Sequence, residues 1–269
     1  MKLDFYKYQG TGNDFILLDS RKKKIENSFL FKKLCDRHFG IGADGIILIQ
    51  NDDEYKSDFY MKYCNSDGKE STMCGNGGRC AVSFAKKLGI TQKNKIHFRA
   101  IDGHHNGFII NNIVSINLLN VDRNTIKIHP EHVFLNTGSP HHILFLENIN
   151  EKNVYEEGKN IRFQNPYFEK GVNVNFVKIL ENDTLQVRTY ERGVENETLS
   201  CGTGVVASVI AACEKNKIKK NKDILVQTIG GELWVSLTKT KNEYKNVSLT
   251  GNVQLIFEGS IFIDKDWLK

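Results

Sequence analysis

The amino-acid sequence predicts an α+β fold of two pseudo-symmetric lobes, in each of which a mixed sheet wraps around a central buried helix. Most of its 269 residues fall into short alternating or apolar runs separated by glycine and asparagine turns, as strands do. Helical patterns are few, and the one over residues 205–216 is mostly apolar around its circumference, which is typical of a core helix. The order strand, polar turn, Cys-Gly pair and helix also occurs once in each half.

The predicted strands are separated by recognisable turn dipeptides. Asn111-Asn112, Gly230-Gly231 and Gly251-Asn252 each stand between two apolar runs, and such dipeptides favour tight turns. Two further strands come before the first of these turns. The predicted strands are residues 46–49, 59–63, 105–110, 113–117, 224–227, 232–237, 247–250 and 253–257.

Three helices are predicted. Asn27 or Ser28 caps the first, which ends near Cys35. The second covers residues 78–88 and is closed by Gly89, and the third covers residues 205–216.

The two halves of the chain resemble each other around two cysteines. A predicted strand and polar turn end six residues before Cys74, and a matching strand and turn end eight residues before Cys201. A gene duplication explains this repetition economically, and it predicts a boundary near Asn120. We therefore expect an N-terminal lobe of residues 1–119 that carries Cys74 and a C-terminal lobe of residues 120–258 that carries Cys201.

Composition and charge favour a cytoplasmic protein without a nucleic-acid or membrane partner. The net charge is only +5, and neither a zinc finger, a ribonucleoprotein motif nor a helix-turn-helix pattern occurs. The N-terminus lacks the apolar run of a signal peptide, and the apolar stretch 205–213 is too short to span a bilayer. The modest basic charge is expected to help attract acidic substrates.

Cysteine spacing argues against disulfides and zinc. The chain has six cysteines, but it contains no Cys-x-x-Cys and no histidine pair with ligand spacing near a cysteine. Cys80 and Cys213 lie inside predicted helices and are expected to be buried apolar residues. Cys35 and Cys64 are not assigned chemistry either, so no metal site is predicted.

The remaining cysteines, Cys74 and Cys201, each stand at a Cys-Gly-x-Gly turn that opens a helix, with a glutamate four residues upstream. The first N–H groups of a helix lack partners within it and carry partial positive charge, so such a turn binds a carboxylate and lowers a thiol pKa. If the two turns face each other, one thiolate removes an α-proton and the opposite thiol returns a proton on the other side. No cofactor is required, and neither a phosphate-binding loop nor a dinucleotide fingerprint is present.

Alternatives remain open at this point. A racemase of another amino acid, such as proline, would use the same pair of thiols. A protein from a different class, either a redox dithiol that joins Cys74 to Cys201 or a carboxylate-binding protein without turnover, would also use acidified thiols.

Four motifs, in order along most of the chain, resemble those of diaminopimelate epimerases. The resemblance implies a two-lobed epimerase fold, with residues 259–269 returning to the first lobe, and a family tendency to form homodimers. It implies cofactor-independent interconversion of LL- and meso-2,6-diaminopimelate, in lysine and peptidoglycan synthesis. The motifs are Gly10-Thr11-Gly12-Asn13-Asp14-Phe15, Asn65-Ser66-Asp67-Gly68, Cys74-Gly75-Asn76-Gly77-Gly78-Arg79-Cys80, and Tyr190-Glu191-Arg192-Gly193 through Cys201-Gly202-Thr203-Gly204.

The resemblance also implies roles for single residues. Cys74 and Cys201 would be the two acid/base residues, and their helix N–H groups would hold the reacting carboxylate. Arg192 suits the distal carboxylate because its guanidinium forms forked hydrogen bonds. Glu191 would accept from an ammonium group and tune catalysis. The implied N–H cradle is Gly75, Asn76, Gly202 and Thr203, and the implied amide contacts are Asn13, Asn65 and Asn173.

His141 matches the histidine of the family's Asn-Pro-His motif, which implies a place beside a catalytic cysteine, where it would orient or tune the thiol. Two positions depart from the family pattern. Ser139 stands where Asn is common, and its hydroxyl would replace part of that substrate contact. Gly45 stands where some members have Gln, so that contact is expected to be absent or supplied by water.

Overall fold

A computed structural model describes residues 2–53, 57–219, 222–264 and 267. The chain divides into two compact units, Met1–Ile116 with Gly251–Lys269, and Asn117–Thr250. Residue 1 of the predicted first lobe, and residues 265, 266, 268 and 269 of the segment predicted to return to it, lie outside the described residues.

The described residues of the first unit form two helices and eight strands. Helix α2 is central to it and packs against β1, β2, β3, β4 and β6. The elements are β1 (Lys2–Gly10), β2 (Asn13–Asp19), α1 (Ser28–Cys35), β3 (Gly45–Gln50), β4 (Phe59–Asn65), α2 (Gly75–Lys87), β5 (Lys95–Ala100), β6 (Gly103–Ile110), β7 (Ile113–Asn117) and, from the end of the chain, β18 (Gln254–Phe262).

The strands of this unit pair in one continuous order, β18-β1-β2-β3-β4-β5-β6-β7. The β2–β3 and β4–β5 pairs are parallel, and the others are antiparallel. Helix α1 packs on the outer side, where Leu30, Phe31 and Leu34 join a core cluster with residues of β1, β2 and β3. Side chains of the sheet therefore alternate between the α1 cluster and the helix α2 that the sheet surrounds.

The described residues of the second unit form two α-helices and ten strands. Helix α4 is central and packs against β10, β11, β12, β13 and β16, whereas α3 packs against β12, β13 and β14. The elements are β8 (Val121–Asp122), β9 (Lys127–Ile128), β10 (His132–Asn136), β11 (Pro140–Phe145), α3 (Val154–Phe163), β12 (Asn173–Ile179), β13 (Leu185–Glu191), β14 (Asn196–Thr198), α4 (Gly202–Glu214), β15 (Ile224–Thr228), β16 (Gly231–Lys239) and β17 (Glu243–Asn252).

The two units repeat one topology. In the first, β1 through β6 pair in the sequence antiparallel, parallel, antiparallel, parallel, antiparallel. In the second, β10, β11, β12, β13, β15 and β16 pair in the same sequence. The outer helix follows the second strand of each series, and the central helix follows the fourth. The predicted α+β fold, with a mixed sheet around a central helix, is confirmed, and the repetition fits a duplication.

The predicted helices exist, with shifted starts. Asn27 caps α1, since its side chain accepts from the Leu30 N–H at 2.8 Å. Helices α2 and α4 each begin three residues earlier than predicted, directly after the cysteine. Glycines at these starts disfavour a helix in isolation, and burial of most of the first turn overrides that preference.

Helix α3 was not predicted. Its signal is Asn153, whose side chain accepts from the Glu156 N–H at 3.2 Å in a helix cap. The dipeptide Gly251-Asn252 is also not a turn, because β17 runs through it to Asn252. Within the described part of the chain, none of the helices combines the length and apolarity required to cross a membrane.

Candidate active site

Helix α2 begins at Cys74, whose extended backbone (φ −82°, ψ 129°) caps it. The Gly78 N–H donates to the Cys74 carbonyl at 2.7 Å, so the N–H groups before it lie ahead of the helical ladder. No acidic residue occupies the first turn, which leaves the positive end of the helix dipole without a neighbouring carboxylate on this helix. A Cβ at Gly78 would lie 2.8 Å from Met73 Sδ, so a larger residue there would displace the Met73 side chain.

The Asn76 side chain is fully buried and joins the helix start to the first residue of β2. Its Nδ2 donates to Asn13 Oδ1 at 2.5 Å, and Asn13 Nδ2 donates to Asp44 Oδ2 at 3.0 Å. Arg37 in turn donates to Asp44 at 2.7 Å. The structure therefore brings together two predicted contact residues, Asn13 and Asn76, and holds them through an acidic residue that the sequence analysis did not identify.

Arg79 is a second residue that the sequence analysis did not assign. Its guanidinium is fully buried one turn into α2, where it donates to Thr11 Oγ1 at 2.5 Å and Asn76 Oδ1 at 3.0 Å. Among the described residues no carboxylate forms an ion pair with it, and its Nε has no partner. Burial lowers the pKa of Arg79 to about 10, and the thiols of Cys80 and Cys74 oppose that change. The start of α2 thus holds an uncompensated cation.

Two other predicted positions lie at the edge of this unit's site. Asn65 is exposed at the end of β4, directly opposite Gly45 in the antiparallel register with β3. A Cβ at Gly45 would lie 2.6 Å from Tyr63 Cε2 and 2.7 Å from the Cys64 carbonyl oxygen. The Tyr63 ring therefore occupies the space that a larger residue at position 45 would need.

Cys201 precedes α4 in the second unit as Cys74 precedes α2 in the first. Its backbone is extended (φ −115°, ψ 105°), it accepts from the Val205 N–H at 2.9 Å, and no acidic residue lies in the first turn. The side chain is nearly buried, and its Sγ lies 3.6 Å from the Thr203 hydroxyl oxygen. The Thr203 hydroxyl therefore lies beside this thiol at the start of the helix.

His141 is fully buried beside this helix start. Its Nε2 lies 3.1 Å from Thr203 Oγ1, and its Nδ1 lies 3.1 Å from Asn175 Nδ2. Burial, together with a smaller effect of the Arg192 charge, lowers the pKa of His141 to about 3. His141 is therefore neutral near pH 7, and within its unit it reaches Cys201 through the Thr203 hydroxyl.

Asn173 forms hydrogen bonds with two other predicted site residues, Ser139 and Arg192. Its Nδ2 donates to Ser139 Oγ at 2.7 Å and to the Pro140 carbonyl at 3.0 Å, and its Oδ1 accepts from the Arg192 N–H at 2.9 Å. The amide thus fixes the backbone of Arg192, whose side chain is exposed and donates to the Lys170 carbonyl at 2.8 Å. Ser139 stands where it supports Asn173.

Glu191 lies at the end of β13, next to Arg192. Its Oε2 accepts from the Thr198 hydroxyl at 3.0 Å. The Glu191 side chain is half-buried, and its hydrogen bond with Thr198 of β14 holds the carboxylate in place.

The other four cysteines are poor candidates for thiolate chemistry, as the sequence analysis expected. Burial raises the pKa of Cys35 and of Cys80 to about 12, and that of Cys64 and of Cys213 to about 11. Each of these thiols is buried in the core of its unit.

The chain is similar in sequence to several proteins named diaminopimelate epimerase. The sequence profile of the diaminopimelate epimerase family matches residues 5–107 and 133–256. A diaminopimelate epimerase of Flavobacterium psychrophilum is 50% identical over 264 residues, covering 97% of this chain and 100% of the relative. One from Aquifex aeolicus is 42% identical over 277 residues, covering 96% and 98%.

Solved structures with diverged sequences share the fold. A PhzF-family phenazine biosynthesis protein of Bacillus anthracis gives a TM-score of 0.72 at 13% identity, covering 98% of this chain and 100% of that one. A hydroxyproline epimerase of Agrobacterium vitis, solved with trans-4-hydroxy-L-proline, gives a TM-score of 0.71 at 12% identity, covering 99% and 94%. At these identities the likeness concerns the fold alone.

The sequence comparisons cover nearly the whole chain. The family profile covers most of the chain, and the sequence relatives align with nearly all of it. The Cys-capped helices described above lie within the matched segments. On these grounds the chain belongs to the diaminopimelate epimerase family.

Proposed function

We propose that this protein is a cofactor-independent isomerase that interconverts LL- and meso-2,6-diaminopimelate, with Cys74 and Cys201 as its acid/base pair. One observation carries the proposal: two units of the same topology each open their central helix with a cysteine, and neither helix has an acidic residue in its first turn. The 50% identity to a diaminopimelate epimerase supports the choice of substrate.

The proposed reaction moves one proton off the α-carbon and another proton onto its opposite face. The thiolate of one cysteine takes the α-proton and becomes a thiol, and the electron pair remains on the α-carbon and its carboxylate. The thiol of the other cysteine then gives its proton to the opposite face and becomes a thiolate. The net change is inversion of one stereocentre, with no change in oxidation state.

The helix starts suit the charge that this reaction develops. The carboxylate gains negative charge as the α-proton leaves, and preorganised N–H donors stabilise such charge by about 3 kcal/mol or more. In the proposed site these donors are the N–H groups of Gly75, Asn76, Gly202 and Thr203. The buried Arg79 cation adds positive charge beside the first pair.

The remaining polar residues are proposed to hold the ends of the substrate. Arg192 would pair with a distal carboxylate through its guanidinium; its exposure and the hydrogen bond from its backbone N–H to Asn173 support this proposal. Glu191 would accept from an ammonium group and tune catalysis. Asn13, Asn65 and Asn173 would contribute amide contacts, and the amides of Asn13 and Asn173 are already fixed by protein partners.

Incubation with LL-diaminopimelate in deuterated water, under reducing conditions, tests the proposal. We expect epimerisation, with one deuterium on the inverted α-carbon of newly formed meso product. Exchange of proline without exchange of diaminopimelate would point instead to a racemase of another amino acid. An absence of exchange with both compounds would contradict the enzyme assignment and favour a redox or carboxylate-binding role.

We further propose that the enzyme works as a cytoplasmic homodimer, which the family resemblance implies. Sedimentation velocity at micromolar concentration is expected to give twice the mass of the 30.7 kDa chain. A sedimenting species of 30.7 kDa would contradict the dimer. Fractionation of the source cells would test the location.

A further inference from the structure

A chain of hydrogen bonds leads from strand β13 to the start of helix α4. The Thr189 hydroxyl donates to Asn175 Oδ1 at 3.0 Å, and Asn175 Nδ2 lies 3.1 Å from His141 Nδ1. His141 Nε2 lies 3.1 Å from Thr203 Oγ1, which lies 3.6 Å from Cys201 Sγ. Asn175 and His141 are both fully buried, so water does not compete for these bonds.

The direction of the chain is fixed at Asn175. Its Nδ2 also faces two backbone carbonyl oxygens, of His142 at 3.3 Å and of Asn173 at 3.4 Å. Carbonyl oxygens only accept hydrogen bonds, so the nitrogen and not the oxygen of the amide lies on this side, where its two N–H groups are shared among three acceptors. An amide nitrogen cannot accept a hydrogen bond. His141 Nδ1 therefore accepts from Asn175 and carries no proton.

The tautomer of His141 also determines the hydrogen bonds between His141, Thr203 and Cys201. A neutral imidazole has one N–H, and with Nδ1 unprotonated that N–H is on Nε2. It donates to Thr203 Oγ1, so the single hydroxyl proton of Thr203 points elsewhere, and the Cys201 sulfur lies within reach. We propose that Asn175 is a positioning residue that holds His141 as the Nε2–H tautomer, so that the Thr203 hydroxyl donates to the Cys201 thiolate.

Packing around a glycine supports this arrangement independently. A Cβ at Gly204 would lie 2.3 Å from Asn175 Oδ1 and 3.3 Å from His141 Cε1. The second glycine of the Cys-Gly-x-Gly turn is thus required because the amide and the imidazole pack directly on the first turn of α4. This contact fixes both groups against the helix that carries Cys201.

The consequence concerns the thiolate. A hydrogen bond to a charged acceptor stabilises the charged form, so the Thr203 donor favours the thiolate of Cys201 over its thiol. The positive charge of Arg192 acts on His141 and contributes to its lowered pKa. Asn175 touches neither the sulfur nor, in the proposed site, the substrate. The role of Asn175 in catalysis rests on the proposed function, whereas the tautomer of His141 and the hydrogen bond from Thr203 do not.

The tautomer is measured directly by ¹⁵N spectroscopy of histidine-labelled protein. We expect the His141 signals, identified by their loss in His141→Gln, to show a protonated Nε2 and an unprotonated Nδ1 near pH 7. In Asn175→Asp the carboxylate accepts from the ring, and we expect the proton to move to Nδ1. A protonated Nδ1 in the unsubstituted protein would overturn the proposal.

The effect on the thiol is measured by iodoacetamide alkylation of the Cys201 peptide across pH, followed by mass spectrometry. Thr203→Val removes the hydroxyl but keeps the N–H, and we expect alkylation at pH 7 to slow about tenfold. Thr203→Ser keeps the hydroxyl, and we expect near-normal alkylation. Equal rates in the Val and Ser variants would contradict the donor role of Thr203.

A double-mutant cycle separates the hydrogen-bond chain from simple charge. Asn175→Asp adds a negative charge that acts through space in any background, whereas the chain acts only through the hydroxyl. We expect the effect of Asn175→Asp on alkylation to fall by more than half in Thr203→Val. An equal effect in both backgrounds would overturn the positioning role. Asn148→Asp, which adds the same charge at an exposed site of this unit, is the control expected to leave alkylation unchanged.

These readouts do not require turnover. If epimerisation of diaminopimelate fails while the tautomer and alkylation results hold, the proposed function fails alone. If epimerisation occurs and the tautomer is wrong, only the role of Asn175 fails.

Discussion

Asn76 donates a 2.5 Å hydrogen bond to Asn13, and this bond joins two segments that are 63 residues apart. Both amides have further partners, Arg79 on one side and Asp44 on the other. The start of α2 is therefore held in place by a connected set of polar side chains. Preorganisation of this kind keeps N–H donors aimed at a ligand without reorganisation during the reaction.

Replacing Asn13 by Ala is expected to lower stability and activity together. The substitution removes the hydrogen bond that the buried Asn76 amide donates to Asn13, and the loss of such a bond costs about 1 kcal/mol. We expect urea unfolding to show that loss and kcat/KM for LL-diaminopimelate to fall. Asn51→Ala, which removes an exposed 3.2 Å bond to the Arg21 carbonyl, is the matched control. Equal stability of the two variants would contradict the role of Asn13.

Arg79 is expected to favour the thiolate of Cys74 through its charge. Arg79→Gln removes the cation but keeps N–H donors, and we expect alkylation of the Cys74 peptide to require higher pH. Arg79→Lys keeps the charge, and its alkylation profile is expected to stay close to that of the unsubstituted protein. The measurement is peptide-resolved alkylation across pH. A role limited to packing would give the same profile for Gln and Lys, which would rule out the electrostatic account.

Stability is expected to fall in mild acid because two buried histidines stay neutral. Burial lowers the pKa of His142, like that of His141, to about 3, whereas an unfolded histidine titrates near 6.5. Below pH 6.5 the unfolded chain binds protons that the folded chain does not, so the free energy of unfolding decreases as pH falls toward 3.

His142→Phe isolates one of these protons. The ring still fits the stack with His132, but it no longer titrates. We expect the difference in free energy of unfolding between this variant and the unsubstituted protein to shift by about 2 kcal/mol in favour of the variant when the pH is lowered from 7 to 5. The reason is that each proton contributes about 1.4 kcal/mol per pH unit. Urea unfolding at both pH values gives the comparison. A pH-independent difference between the two proteins would show that His142 takes up its proton over the same pH range in the folded and unfolded chains, which would contradict the lowered pKa.

The sequence predicted what depends on local patterns. Cys74 and Cys201 were placed at helix starts because Cys-Gly-x-Gly and the apolar runs that follow are local signals, and α1 was placed by its Asn27 cap. Residues whose role depends on distant partners were not found. Asp44 contacts Asn13 across 31 residues, and Asn175 contacts His141 across 34.

The position of Asn175 in the sequence gives a weak indication of its role. It stands two residues after Asn173 in the apolar strand β12, and residues two apart in a strand face the same side. Two amides on one side of a buried strand indicate a polar cluster in the core. The sequence alone did not show that the cluster contains His141 and meets α4, because that depends on the parallel register of β11 with β12.

Epimerisation by the single variants Cys74→Ala and Cys201→Ala tests the two-thiol mechanism most directly. We predict that each variant keeps the circular dichroism spectrum of the unsubstituted protein and loses interconversion of LL- and meso-diaminopimelate, followed by chiral chromatography. Near-normal turnover by either variant would contradict the account.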